Sequence, residues 1–264
     1  MEPHLSVTTT GPATPATQVS LIPVLHDNYV FVLHGDGPGA AVVDPAVAAP
    51  VIAWLEQRGL ELVAILHTHH HSDHIGGTPE LLRRWPGAAV IASGADRERI
   101  PLQTRGVAAG DRWTLLGRPV EVIEVPGHTR HHIAYYLPPL AGAPAGGGEL
   151  FCGDTLFAGG CGRLFEGTPE QMHASLQRLA ALPPDTRVWC AHEYTEANLR
   201  WAAAQEPGDA AIAERLARVT QDRAAGRPTI PSTVALERAT NLFVRAGDGD
   251  ALRRRRASKD LWRG

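Results

Sequence analysis

The chain has 264 residues, 44% of them hydrophobic and 20% charged, with 25 basic and 28 acidic side chains and a formal net charge of −3. These fractions exclude a wholly disordered or fibrous protein, and the near-neutral balance speaks against a chain built to coat nucleic acid. The length allows one large domain with an appendage and a core that needs no disulfides.

Residues 1–17, rich in Thr, Pro and Ala and without Arg, lack the basic start and apolar centre of a secretory signal, and a disordered tail is expected there. Val19–Pro23, Tyr29–Leu33 and Ala40–Val43 are expected strands, the last two joined by a turn holding Gly35, Gly37, Pro38 and Gly39. A helix is expected over Val51–Arg58, a buried strand over Leu62–Thr68, a helix over Thr78–Trp85 and a strand over Ala89–Ala92. Val120–Val125, His132–Leu137, Glu149–Cys152 and Arg187–Cys190 complete the expected strands, and Pro138–Gly148 is an expected hairpin tip. Thr168-Pro169-Glu170-Gln171 reads as a capping box that starts a helix, with Met172, Leu176 and Leu179 on its buried stripe. After residue 193 strand signals stop, and Thr195–Gln205, Asp209–Arg223 and Ser232–Val244 all read as helical. The layout is therefore a mixed α/β body, residues 18–193, followed by an all-helical domain, residues 194–264.

No apolar run approaches the ~20 residues that span a bilayer. Cys152, Cys161 and Cys190 are odd in number and lack C-x-x-C spacing, which fits reduced thiols in the cytoplasm. Each is expected to be small buried packing.

The strongest chemical signal is His67-Thr68-His69-His70-His71-Ser72-Asp73-His74, five of the thirteen His in eight residues. Imidazole and carboxylate are donors that Zn, Fe and Mn accept. The cluster follows an apolar strand, and three more strands end in ligand types, at His128, Asp154 and His192. In an open α/β sheet, sites gather at such strand ends. Taken alone, each of the three is an ordinary core or surface residue; taken together they are a site pattern.

Thr68-His69-x-His71-x-Asp73-His74, with Gly127-His128-Thr129, Gly153-Asp154 and His192, resembles the metallo-β-lactamase superfamily. Cys152–Phe157, Gly160–Thr168, His192-Glu193-Tyr194-Thr195 and Arg256-x-x-Lys259-Asp260 resemble glyoxalase II, the hydroxyacylglutathione hydrolases, over roughly residues 19–262. The resemblance implies an αββα sandwich with a C-terminal all-helical domain. It implies two divalent metals, Zn first and Fe or Mn as alternatives. His69, His71 and His128 would hold one, Asp73, His74 and His192 the other, and Asp154 would bridge them. Asp73 would also orient the nucleophile. His70 is expected to point away, and His67, His131 and His132 to be structural or supporting. Arg163, Tyr194, Arg256 and Lys259 would hold glutathione. Phe165 stands where some relatives carry Tyr, so one hydrogen bond to the tripeptide would be missing.

The implied reaction is cleavage of S-D-lactoylglutathione to glutathione and D-lactate, the second step of methylglyoxal detoxification. A thioester suits this equipment, because its thiol leaves as a thiolate of pKa near ~8.5 and needs little help from an acid. Glutathione carries carboxylates, and Arg256 and Lys259, three apart on an expected last helix, share a face. Lys259 is the only Lys beside 24 Arg. Arg253–Arg255 read as a solvated basic end. The partner is thus a small molecule, with no nucleic acid and no membrane, and a monomer is expected. A lactonase or β-lactamase would share the metals without needing Arg256 and Lys259, and a glutathione-persulfide dioxygenase would use one iron. A nuclease would need a broader basic face than one four-residue run. An inert metal-binding scaffold leaves the full ligand set unexplained.

Overall fold

The computed structural model describes residues 17–140 and 147–263. The tail expected at 1–17 lies outside them but for Thr17, as do residues 141–146 of the expected hairpin tip. β1 (Gln18–Val24) and β2 (Asn28–His34) form an antiparallel hairpin, and β2 divides its side chains between two cores. Successive residues of a strand face opposite ways. Tyr29, Phe31 and Leu33 accordingly join one apolar cluster, and Val30 and Val32 the other.

β3 (Gly39–Val43), β4 (Glu61–Leu66), β5 (Ala89–Ser93) and β6 (Arg105–Val107) extend this sheet in sequence order, parallel from β3 onwards. Helix α1 (Ala49–Glu56) links β3 to β4. The short α2 (Ser72–Ile75) and α3 (Thr78–Arg84) link β4 to β5. Val51, Leu55, Leu81 and Trp85 from this layer pack on Val30, Val32, Val42 and Ile65, covering the outer face.

The second sheet begins with β7 (Arg112–Leu115), β8 (Arg118–Glu124), β9 (Ile133–Leu137) and β10 (Glu149–Gly153), an antiparallel run. A two-residue ladder, β11 (Leu156–Phe157) with β12 (Gly160–Cys161), follows, then α4 (Pro169–Ala180) and β13 (Arg187–Cys190), which lies parallel to β10. The capping box of α4 forms as expected: Gln171 N donates to Thr168 Oγ1 at 3.2 Å and Thr168 N to Gln171 Oε1 at 2.9 Å. The two sheets face each other, with the Phe31 ring 5.7 Å from Phe151 and 5.5 Å from Trp189. This is an αββα sandwich.

α5 (Thr195–Gln205), α6 (Ala210–Ala224), α7 (Val234–Thr240) and α8 (Gly249–Leu261) make the C-terminal region helical. One element departs from that reading. Ser232 and Thr233 form β14, which pairs antiparallel with Val188 and Arg187 and extends the second sheet to the order β14-β13-β10-β9-β8-β7. The helix expected from Ser232 therefore starts at Val234, capped by Thr233 Oγ1, which accepts from Leu236 N at 3.2 Å. Among the described residues no helix is long and apolar enough to cross a membrane.

Candidate metal centre

The centre lies where strand ends meet. β4 stops at Leu66, and Asp44, just past the end of the neighbouring β3, grips the turn that follows: Thr68 N and Thr68 Oγ1 donate to its two carboxylate oxygens at 2.8 and 2.6 Å. Asp44 sits at φ 49°, a left-handed conformation uncommon outside glycine. From this pinned turn His69 and His71 project towards His128, which follows β8. His71 Nδ1 lies 3.1 Å from His69 Nε2 and 3.0 Å from His128 Nε2.

The outer contacts decide which ring nitrogens are bare. His128 Nδ1 donates to Arg163 O at 2.9 Å, His74 Nδ1 to Asp44 Oδ2 at 3.1 Å and His192 Nδ1 to Asp27 Oδ1 at 2.8 Å. With the proton on Nδ1, Nε2 of each of these three rings presents a lone pair. His74 Nε2 and His192 Nε2 each lie 3.4 Å from Asp154 Oδ1, and His128 Nε2 lies 3.4 Å from Asp154 Oδ2. The two oxygens of one carboxylate therefore face different histidine sets. Asp73 Oδ2 completes the second set, 3.7 Å from His74 Nε2 and 3.6 Å from His192 Nε2, and receives Asn28 Nδ2 at 3.2 Å.

This donor set fits two divalent ions. His74 Nε2 and Asp154 Oδ1 are buried polar atoms without a hydrogen-bond partner, an arrangement that costs free energy unless something binds there. Ligand atoms about 2.0–2.1 Å from a tetrahedral ion lie roughly 3.3 Å from one another. The gaps above bracket that value. His69–His71–His128 and Asp73–His74–His192 each converge on one point; Asp44–His69–His74 also converge, but Asp44 is occupied by Thr68.

Burial and mutual repulsion keep His69 well below the ordinary imidazole pKa and bring His71 down to about 4, so both rings are neutral donors. Burial opposes charge on Asp154, yet His74 and His192 beside it hold the carboxyl well below its usual range. Burial likewise opposes charge on His74, but Asp154 and Asp44 raise it well above an ordinary His. A positive charge between these carboxylates is favoured, whether a proton or a metal supplies it.

The centre opens into a cavity of about 480 Å³, lined by His71, Asp73, His128, Asp154 and His192 on one side. Arg163, Tyr194, Arg256 and Lys259 line the same cavity. Tyr194 stacks on His192 at 4.8 Å, and burial raises its phenol, which stays protonated. Lys259 Nζ donates to Ala197 O at 2.8 Å. Arg256 is largely buried and already engaged, with Nη1 donating to Cys161 O at 2.9 Å and Nη2 to Asp260 Oδ1 at 2.8 Å. Arg163, 69% exposed, reaches towards Asp260 at 3.7 Å. Phe165 packs edge-on against His71 and His128, at 5.7 and 5.2 Å.

Asp44 and Asp27 stand outside the His/Asp motifs of the sequence. Asp44 carried a usable signal, an apolar strand ending in a carboxylate, the same context as Asp154. Asp27 carried none, since its meeting with His192 depends on the bridge between Asn28 and His192. His70 turns away from the centre, its Nδ1 3.6 Å from Asp96 Oδ2 and its Nε2 3.3 Å from Arg99 Nη1. His67 meets Thr78 Oγ1 at 2.8 Å, and His132 Nε2 accepts from Asp154 N at 3.2 Å, both supporting roles. His131 lines a separate cavity with Arg99 and Glu166. The three Cys are buried, and burial pushes the Cys161 thiol up to about 11 and Cys190 up to about 12, as for packing groups.

Residues 23–192 match the family model described as metallo-beta-lactamase superfamily, and residues 193–261 the one described as hydroxyacylglutathione hydrolase C-terminus. A hydroxyacylglutathione hydrolase of Synechococcus sp. (strain WH7803) is 59% identical over 93% of this chain and 96% of its own length. The crystal structure of ETHE1 from Myxococcus xanthus superposes with a TM-score of 0.69 at 23% identity, over 93% of this chain and 92% of that one. TTHA1623 in a di-iron-bound form superposes at 0.58 with 26% identity, over 86% of this chain and 99% of that one.

Proposed function

The chain belongs to the hydroxyacylglutathione hydrolases of the metallo-β-lactamase superfamily, and from that membership we propose that it hydrolyses S-D-lactoylglutathione to glutathione and D-lactate, the second step of methylglyoxal detoxification. One observation carries the reading. The convergent His and Asp donors and the cations of α8 face a single cavity, so a molecule with a reactive acyl group at one end and carboxylates at the other spans it.

His69, His71 and His128 are proposed to hold one divalent ion, Asp73, His74 and His192 the second, with Asp154 between them. Zn is the first candidate, with Fe or Mn as alternatives; the 26%-identical structure with two irons supports a binuclear centre. When bound, such ions supply a water of lowered pKa and positive charge for the carbonyl oxygen. The chain's own residues do the rest. Asp73, held by Asn28, orients the attacking water. Tyr194 and Arg163 face the tripeptide and Lys259 meets a carboxylate, fixing the thioester over the donors. The thiolate departs without an acid, and none is needed at its pKa of ~8.5.

A cytoplasmic monomer is proposed. The basic run of α8 is largely occupied: Arg253 pairs with Glu170 and Asp250, and Arg255 with Glu206. That leaves little for a phosphate backbone. The test is hydrolysis by one preparation given S-D-lactoylglutathione, a lactone and single-stranded RNA, read as thiol release, ring opening and strand cleavage respectively. Turnover of the thioester at least a hundredfold above the others is expected; preference for the lactone would overturn the substrate.

A further inference from the structure

The ladder β11–β12 is two residues long on each strand, too short to hold itself. It nevertheless sits directly after Asp154 and beside His192, with the Phe157 ring 5.8 Å from His192 and 5.3 Å from Tyr194. Its base packs on the candidate bridging residue: a β-carbon at Gly162 would overlap the main-chain oxygen of Asp154. The shape of this hairpin therefore bears directly on where Asp154 stands.

What holds the hairpin is a set of side chains from the C-terminal helices. Asn241, just past α7, brings Nδ2 to Phe157 O at 3.1 Å and to Gly160 O at 2.9 Å. Glu237 of α7 accepts from Gly159 N at 2.8 Å. Asn198 of α5 donates to Ala158 O at 3.1 Å, and Arg256 of α8 donates to Cys161 O at 2.9 Å. Main-chain groups of every residue from Phe157 to Cys161 are thus met by a C-terminal side chain. Asn241 and Glu237 are themselves fixed. Asn241 Oδ1 accepts from Phe243 N at 3.0 Å, and Glu237 Oε1 receives Arg215 Nη2 at 2.6 Å, a pair in which both residues are 3% exposed or less. A buried pair of this kind tolerates little displacement, because moving one partner strands a charge.

We propose that Glu237 and Asn241 are positioning residues for the reaction, locking the 156–161 hairpin so that the C-terminal helices set the seat of Asp154 as well as the glutathione end of the cavity. The inference rests on the proposed metal-ligand role of Asp154. It assigns to α7, which lies behind the hairpin, control over metal retention and turnover.

The test uses the full chain. Asn241→Asp keeps the size but turns a donor into an acceptor that faces Phe157 O, Gly160 O and Glu237. Thr240→Val is the control: it removes the hydroxyl that Arg215 Nη1 donates to at 2.6 Å, in the same buried network, without touching the hairpin. Three measurements are made: total Zn, Fe and Mn per chain after dialysis against a chelator, steady-state kinetics (kcat and KM) with S-D-lactoylglutathione and with a lactoyl thioester of a simple thiol, and the urea midpoint. Asn241→Asp is expected to lose metal and to lower kcat by at least about tenfold on both thioesters, the range for groups that orient ligands, with KM within about threefold. Thr240→Val is expected to lose stability but keep metal and kcat. A rise in KM for lactoylglutathione alone in Asn241→Asp, with metal retained, overturns the proposal. So does equal loss of metal in both variants at equal loss of stability, which marks a merely structural network. Wild type inactive on lactoylglutathione would defeat the substrate reading instead, and metal loss confined to Asn241→Asp would still support the hairpin's role.

Discussion

Lys259→Ala separates binding from chemistry. The amine is half-buried, 4.7 Å over the Trp262 ring, and burial together with neighbouring Arg256 brings its pKa down to about 8. At pH 7 it is mostly charged and able to meet a glutathione carboxylate. A charge-assisted hydrogen bond contributes ~1.5–3 kcal/mol and an exposed one less, so about 1.4 kcal/mol, one decade, is a fair expectation here. The tripeptide does not change during thioester cleavage, so the loss falls on KM, about tenfold, with kcat within a few-fold. As pH rises through about 8 the wild-type amine loses its proton. Wild-type KM should then climb towards that of the variant, and the tenfold ratio should shrink to about one by pH 10. Because the folded pKa lies below the unfolded value of ~10.4, the unfolded chain binds the extra proton between those values. This residue therefore makes the fold more stable as pH rises across that window, so weaker binding there is not unfolding at Lys259. Steady-state kinetics from pH 7 to 10 on both proteins checks this, with salt expected to raise wild-type KM. A ratio that stays constant with pH, or no change in KM at pH 7, refutes the contact; if Arg256→Ala also leaves KM unchanged, a binuclear lactonase becomes the better reading.

The wild type should carry two metal ions per chain by elemental analysis, and His192→Ala should empty the second site more than the first; full activity with one tight ion would falsify the binuclear centre. Asp73→Asn should lower kcat by at least ~100-fold with the circular dichroism spectrum intact, since the role proposed for Asp73 is in the transition state and its side chain is not part of the core. Asp44→Asn should weaken metal retention by about 10–100-fold, because it replaces an oxygen that orients Thr68 and His74, and a chelator titration reads this directly.

The residues of the candidate centre were legible because each sits where an apolar strand stops, a pattern visible in one dimension. His128, Asp154 and His192 share that signature, and the turn after β4 supplies the rest. What surrounds them was less legible. Asp27 meets His192 only after the chain has crossed from β2 to β13. The supporting roles of Glu237 and Asn241 arise from side chains that reach main-chain atoms about eighty residues away, for which no local signal exists. β6 and β14 are too short for alternation to show, and Ser232-Thr233 looks like the start of a helix because Thr233 is in fact its cap. Arg256 was expected to hold glutathione, and it does line the cavity. The structure shows a largely buried group already bound to Cys161 and Asp260, so its removal should disturb the hairpin as well as the ligand.

The pairing of β14 with β13 has a consequence for how the protein is made. Until residues 232 and 233 have left the ribosome, β13 is the outer strand of its sheet, with unpaired main-chain groups along one side. Roughly forty residues separate the two strands, about 2–8 s of synthesis at 5–20 residues per second. During that interval the nascent sandwich offers a template to any other extended chain. A chain arrested or proteolysed between α5 and α7 would keep that edge open, and it is expected to associate with other extended chains rather than act as a smaller enzyme.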